Sequence, residues 1–219
     1  MKKLSPKGTA WAFTLIELIV IVLTLTVLAV ALVTSLLRAR RTARLIQCDS
    51  NLGQIGLACR TWAVDHSSER PSQVPTASGG SKELVGTGQV FVHLRVMSNE
   101  LVTPKILVCP ADKAKTTARD FGPNLSDTNV SYFVSVDADE KMPQMFGAGD
   151  RNLAFQGQPI TPGLFTLTTN NPALSWTKAI HNSRGNIGLA DGSVQGFATE
   201  RLAEGVQYQE VATNRLAIP

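Results

Sequence analysis

From Leu18 to Leu37 the chain runs twenty residues without a charge, and that stretch constrains the fold more than any other feature. At about 1.5 Å per residue a helix over it matches the roughly 30 Å hydrocarbon core of a bilayer. A cleavable secretory signal has a shorter apolar stretch, about 7–15 residues, with its small residues after it. Here Gly8, Thr9, Ala10 and Ala12 come before the apolar run. The expectation is a membrane-spanning helix, which already argues against a wholly soluble enzyme.

Charge is partitioned along the chain in the same way. Residues 1–44 hold seven Lys and Arg against Glu17 alone, a net of +6, leaving 14 basic and 16 acidic residues from Leu45 onward, a net of −2. The basic character therefore flanks the apolar helix. A nucleic-acid binder spreads Lys and Arg over a folded face, interleaved with aromatics for stacking. The body of this chain does neither, so nucleic acid is not an expected partner.

Glu17 interrupts the apolar helix one turn after Phe13, where a carboxylate without a partner is costly. One reading is snorkelling to the interface. The other begins with the string around it: Ala12, then Phe13-Thr14-Leu15-Ile16-Glu17, then unbroken apolar helix. This string resembles the N-terminus of type IV pilins and type II secretion pseudopilins, with Ala12 where that family usually has glycine. The resemblance implies cleavage between Ala12 and Phe13 by a prepilin peptidase, N-methylation of the new Phe13 amine, and pairing of Glu17 with a neighbouring subunit's amine during filament assembly. An ammonium and a carboxylate attract strongly at low dielectric, which suits that role. It also implies an assembly platform and ATPase as partners, other pilin-like subunits as neighbours, and an external C-terminal domain. Charge alone leaves orientation open, because Arg38, Arg40, Arg41 and Arg44 rival Lys2, Lys3 and Lys7.

Beyond the arginines, Leu45, Cys48, Leu52, Ile55, Cys59, Trp62 and His66 recur at alternating steps of three and four, one stripe of a helix. No proline interrupts Phe13 to Arg70, and Pro71 ends any helix. One helix from Phe13 to about His66, some 80 Å long at about 1.5 Å per residue, is expected to lie in lipid over its first half and on a domain over its second. Gly53 and Gly56 suit close approach of another element, at about 1 kcal/mol each in helix propensity. The expected organisation is a leader at 1–12, a transmembrane half-helix at 13–37, an amphipathic half at 38–66 and an external domain at 67–219. The fold class is α+β, pilin-like: a long N-terminal helix packed on a small antiparallel sheet.

Within the external domain, Ser67 to Gly88 reads as a loop, Val90 to Ser98 as a short helix, and Val130 to Val136 and Gln144 to Ala148 as strands around an acidic turn. Asn186 to Ala190 and Ser193 to Phe197 flank Asp191-Gly192, predicting a hairpin with a two-residue turn. Thr199 is placed as the N-cap of a last short helix reaching about Val211.

Nine residues separate His181 from Asp191-Gly192, and Cys48 to Ala58 and Cys109 to Asp112 lie upstream. This set is similar to pilin-like proteins carrying a His, nine-residue, Asp-Gly motif. A catalytic reading makes His181 a base, Asp191 its orienter and Ser193 a nucleophile. An extended Gly185 to Ala190 instead puts His181 and the turn at opposite ends of one strand. The chain is therefore read as non-enzymatic. Asp137, Asp139 and Glu140, with Asp150 and Asn152 as further candidates, form an oxygen-rich set that suits calcium or is simply a solvated turn. Cys48 and Cys59 share a face but lie about 16 Å apart along it, beyond the roughly 7 Å that a disulfide allows between Cα atoms. Either Cys48 or Cys59 can pair with Cys109, or all three are reduced core residues; the resemblance favours Cys48 with Cys109. The rival to a filament subunit is a membrane-tethered ligand-binding or sensory domain.

Overall fold

The computed structural model describes residues 14–168, 173–209 and 211–219. The chain divides after Thr42 into an N-terminal unit and a compact unit, Ala43–Pro219. Helix α1 (Leu15–Val64) belongs to both. It is α+β: a long N-terminal helix precedes, and over its second half packs on, a small antiparallel sheet domain.

In the N-terminal unit every residue from Thr14 to Leu37 is exposed. This part of α1 is long and apolar enough to cross a membrane, and its exposed aliphatic face needs lipid or other helices to cover it.

From Cys48 the same helix becomes one-sided. Cys48, Leu52, Ile55, Cys59 and Trp62 are buried, Leu45 and His66 are half-buried, and Asn51, Ala58 and Ala63 widen the stripe. The His66 ring stacks on Trp62, centroids 3.5 Å apart. Ser67 and Ser68 then adopt left-handed backbone angles and the Ser68 N–H bonds back to the Ala63 carbonyl, reversing the chain as helix C-terminal motifs do.

Two short helices follow, α2 (Val90–Val96) and α3 (Ser98–Leu101). The loop expected before them contains two 3-10 segments, Thr76–Ser78 and Lys82–Thr87. The strands are β1 (Tyr132–Ser135), β2 (Phe146–Asp150), β3 (Leu153–Phe155), β4 (Gln158–Pro159), β5 (Gly163–Thr168), β6 (Leu174–Trp176), β7 (Arg184–Leu189), β8 (Val194–Ala198) and β9 (Thr213–Ile218), with α4 (Thr199–Gln207) before the last. Six of them form an antiparallel sheet ordered β5-β9-β1-β2-β7-β8, and β4-β3-β6 form a second, smaller one.

The large sheet is covered on both faces. Tyr132, Val134, Ala148 and Ala217 share a core with α1, whereas Phe133, Phe146, Ile187, Leu216 and Ile218 share another with α4 and the small sheet. A strand buried on both sides reads as continuous apolar sequence and loses its alternation. That explains why β1 was legible only as an apolar run. Strands β5 and β9 and the small sheet lie outside the strands expected from sequence.

Two local expectations need correction. Helix α4 begins directly after β8, so the extended Ala198 takes the cap position and no side chain caps the helix. The Thr199 hydroxyl instead accepts from the Trp176 N–H and donates to the Ser183 carbonyl, each at 3.3 Å. The β7–β8 hairpin has a three-residue loop, Ala190-Asp191-Gly192: Gly192 N–H bonds to the Leu189 carbonyl and Leu189 N–H to the Ser193 carbonyl. Only Gly192 takes a positive φ, 88°, which is the pattern of a type I turn closed by a glycine bulge. The buried Ala190, whose N–H bonds to the Met145 carbonyl, draws one more residue into the loop.

Gly56 faces this loop. A Cβ there would sit 3.5 Å from the Gly192 Cα, an ordinary contact. Gly56→Ala is therefore expected to stabilise the domain by up to about 1 kcal/mol through helix propensity, read as a higher urea midpoint. A lower midpoint would mean the helix and the hairpin already touch at their limit.

Candidate functional site

Two places hold the residues singled out by the sequence. The first is the start of α1. Ala12 and Phe13 lie outside the described residues. The Glu17 carboxylate accepts from the Thr14 N–H at 2.8 Å and the Thr14 hydroxyl at 2.7 Å, while the Glu17 N–H reaches the Thr14 hydroxyl at 3.3 Å. Thr14 and Glu17 thus form a reciprocal capping box, which satisfies backbone donors that a helix start otherwise leaves open. The Thr-x-x-Glu spacing is itself a sequence signal for this cap.

The second place is buried in the compact unit. A disulfide joins Cys48 on α1 to Cys109, Cα atoms 5.3 Å apart, closing a sequence separation of 61 residues. Cys59 is a free, buried thiol, pushed above its ordinary pKa by that burial. His181, on the loop before β7, aims Nε2 at the Cys109 sulfur, 3.3 Å away, and at Asp150 Oδ2, 3.7 Å away. Asp150 ends β2 and is fully buried. Its Oδ2 accepts from the Asn186 N–H of β7 at 2.7 Å, and its Oδ1 has no partner among the described residues. Burial pushes the Asp150 carboxyl up to about 7, partly offset by the Asn186 hydrogen bond. Burial also lowers the His181 pKa, opposed by the Asp112 charge. Both directions favour a neutral carboxyl beside a neutral imidazole over an ion pair.

Nearby polar groups brace this cluster. Arg151 clamps Asp112 through two hydrogen bonds of 2.7 and 2.9 Å; burial pushes the Asp112 carboxyl up, and the guanidinium together with hydrogen bonds such as that from the Ala114 N–H more than reverses this. Asn51 on α1 donates to the Tyr132 hydroxyl and to the Val108 carbonyl, and Asn186 reaches the Leu45 carbonyl. The polar contacts therefore bind the helix to β1 and β7 around the disulfide.

His181 meets neither Asp191 nor Ser193. The Asp191 carboxylate accepts from the Ser193 N–H at 2.8 Å and the Ser193 hydroxyl at 2.7 Å, and its carbonyl accepts from Arg60 at 3.0 Å. These are turn and docking contacts. Gly192 supplies the positive φ of the bulge. The motif therefore works at two ends of β7: the Asp-Gly end shapes a turn against α1, and the His end packs on the disulfide.

The acidic turn is already engaged. Arg215 grips Asp137 with hydrogen bonds as short as 2.6 Å, Arg60 pairs with Glu140 at 3.3 Å, and Asp139 accepts from the Lys141 N–H. A calcium ion there has to displace two guanidinium groups. Asp150 and Asn152, considered with that turn from sequence, are buried elsewhere: Asn152 donates to the Thr177 and Arg184 carbonyls. Beside the turn opens a polar groove of about 910 Å³, lined among others by Ser68, Glu69, Lys82, Asp137 and Lys141. No family model matches the chain, and no curated protein or solved structure matches it either.

Proposed function

We propose that the chain is a pilin-like structural subunit, held in the inner membrane by the first half of α1 with its folded domain outside, and polymerised into a pseudopilus or pilus-like filament. The observation that carries the reading is the string Phe13-Thr14-Leu15-Ile16-Glu17 in sequence before an otherwise apolar run, Leu18 to Leu37, whose side chains find no cover among the described residues. In the single subunit the Glu17 carboxylate is held by Thr14. Assembly exchanges part of that cap for the methylated Phe13 amine of a neighbour, a charge-assisted contact that is stronger than a neutral hydrogen bond. Prepilin peptidase, the assembly platform and its ATPase are the partners this role requires. The role is structural and needs no catalytic residue.

Glu17→Ala is expected to leave cleavage before Phe13 intact and to abolish filaments, checked by N-terminal peptide mass and electron microscopy of sheared fractions. Normal filaments from that variant would overturn the pairing. A chain still starting at Met1 in cells that process other prepilins would point instead to a tethered binding domain, for which the polar groove is the place to seek a ligand.

A further inference from the structure

The Cys48–Cys109 disulfide, His181 and Asp150 bring four metal-ligating atoms, one from each residue, within 4.8 Å of one another. They come from four separate segments: α1, the loop after the 3-10 turn Pro104–Leu107, the end of β2 and the loop before β7. No pair has the close sequence spacing by which zinc sites are read from sequence. We propose that the reduced chain binds one zinc ion through Cys48 Sγ, Cys109 Sγ, His181 Nε2 and an Asp150 carboxylate oxygen, and that closing the disulfide expels it.

The geometry suits a tetrahedral ion. Zinc–sulfur bonds of about 2.3 Å and zinc–nitrogen or zinc–oxygen bonds of about 2.0–2.2 Å put neighbouring donors roughly 3.3–3.8 Å apart. His181 Nε2 lies 3.3 Å from the Cys109 sulfur and 3.7 Å from Asp150 Oδ2. The two sulfurs are closer than this because they are bonded; breaking that bond lets them separate to the spacing zinc needs. Asp150 has a buried oxygen, Oδ1, with no hydrogen-bond partner among the described residues, while the Asn186 N–H holds the other oxygen in place, as an outer-shell donor does for a ligating carboxylate. Two thiolates, a neutral imidazole and a carboxylate are donors zinc accepts.

The chemistry balances. A newly made chain carries thiols, and binding Zn²⁺ releases two protons from the dithiol and the one carried by a neutral Asp150 carboxyl, which takes it back when the ion leaves. A small-molecule disulfide then takes two electrons from the two thiolates; the Cys48–Cys109 bond forms, the oxidant's S–S bond breaks, its two sulfurs each take up a proton, and Zn²⁺ leaves. Either clip ties α1 to the Cys109 loop, and the zinc form adds the end of β2 and the loop before β7, so the core has a cross-link before and after oxidation.

The test uses the full chain in detergent micelles, reduced with a phosphine, given zinc and dialysed. The reduced protein is expected to keep one zinc per chain and the oxidised protein none. Cobalt in place of zinc should give thiolate charge-transfer absorption and tetrahedral visible bands. Cys48→Ser and Cys109→Ser should abolish these, and His181→Gln and Asp150→Asn should weaken zinc binding about tenfold or more. Cys59→Ala should bind as wild type. Adding glutathione disulfide should release zinc in step with disulfide formation. The proposal fails if folded reduced protein, judged by near-ultraviolet circular dichroism, keeps no more zinc than the oxidised form, or if zinc binding survives Asp150→Asn undiminished or is lost in Cys59→Ala. Should reduction unfold the chain, refolding on zinc addition supports the site and failure to refold overturns it.

Discussion

Replacing Cys48 and Cys109 together by alanine is expected to lower the unfolding free energy of the compact unit by about 4 kcal/mol. The bond closes a separation of 61 residues, and a cross-link of that span removes much of the denatured chain's freedom while leaving native contacts largely in place. Both cysteines are fully buried, so the two alanines lose little more than sulfur packing. The loss is large against the 5–15 kcal/mol that usually holds a domain together. It is measured as the urea midpoint of the near-ultraviolet signal of the oxidised wild type and the double variant, with a chelator present. A change below about 1 kcal/mol would show that the contacts of α1 with the sheet already restrict the denatured chain. The cross-link also bears on the proposed role, because it fastens the sheet domain to the helix proposed to build a filament.

Acidification from pH 6.5 to 4 is expected to cost the domain up to about 3 kcal/mol through His93 alone. His93 lies on α2 and is 1% exposed; burial depresses its pKa to about 4 from an ordinary 6.5. One ring nitrogen, Nδ1, lies 2.7 Å from the Ser81 hydroxyl, and Nε2 has no partner among the described residues. A second N–H on the ring thus brings a charge into the core and a donor without an acceptor. The sign follows from linkage. Above pH 6.5 the imidazole is neutral folded or unfolded; between 6.5 and 4 the unfolded chain takes up the proton and the folded one does not, so stability falls across that window and levels off below it. His181 is lowered too, so the measurement is the difference between wild type and His93→Gln in urea midpoints across pH. A difference independent of pH would mean that the folded core accepts the charge.

The long helix was legible because its evidence is local. An uncharged run and a three-four stripe depend only on residues within a turn or two of each other, and α1 extends from Leu15 to Val64 with Cys48, Leu52, Ile55, Cys59 and Trp62 buried. Short helix α2 and the hairpin around Asp191-Gly192 were legible for the same reason. The hairpin's loop length was not, because it depends on Ala190 bonding to Met145 across the sheet. Strand β9 shows how little a short strand reveals: Leu216 and Ile218 face one core and Ala217 the other, so no alternation of apolar and polar residues marks it.

Sequence alone determined the apolar helix, the charged residue set within it and the amphipathic continuation, since each follows from periodicity and charge along one helix. Only the tertiary structure decided that Asp150 joins His181 and the Cys48–Cys109 pair, while the acidic turn engages Arg215 and Arg60. Those meetings join residues far apart in sequence, with a separation of 72 for Cys109 and His181. They are settled by the register of β2 on β7 and by the packing of α1 on the sheet, where burying apolar surface on both faces fixes which polar side chains are carried inside together.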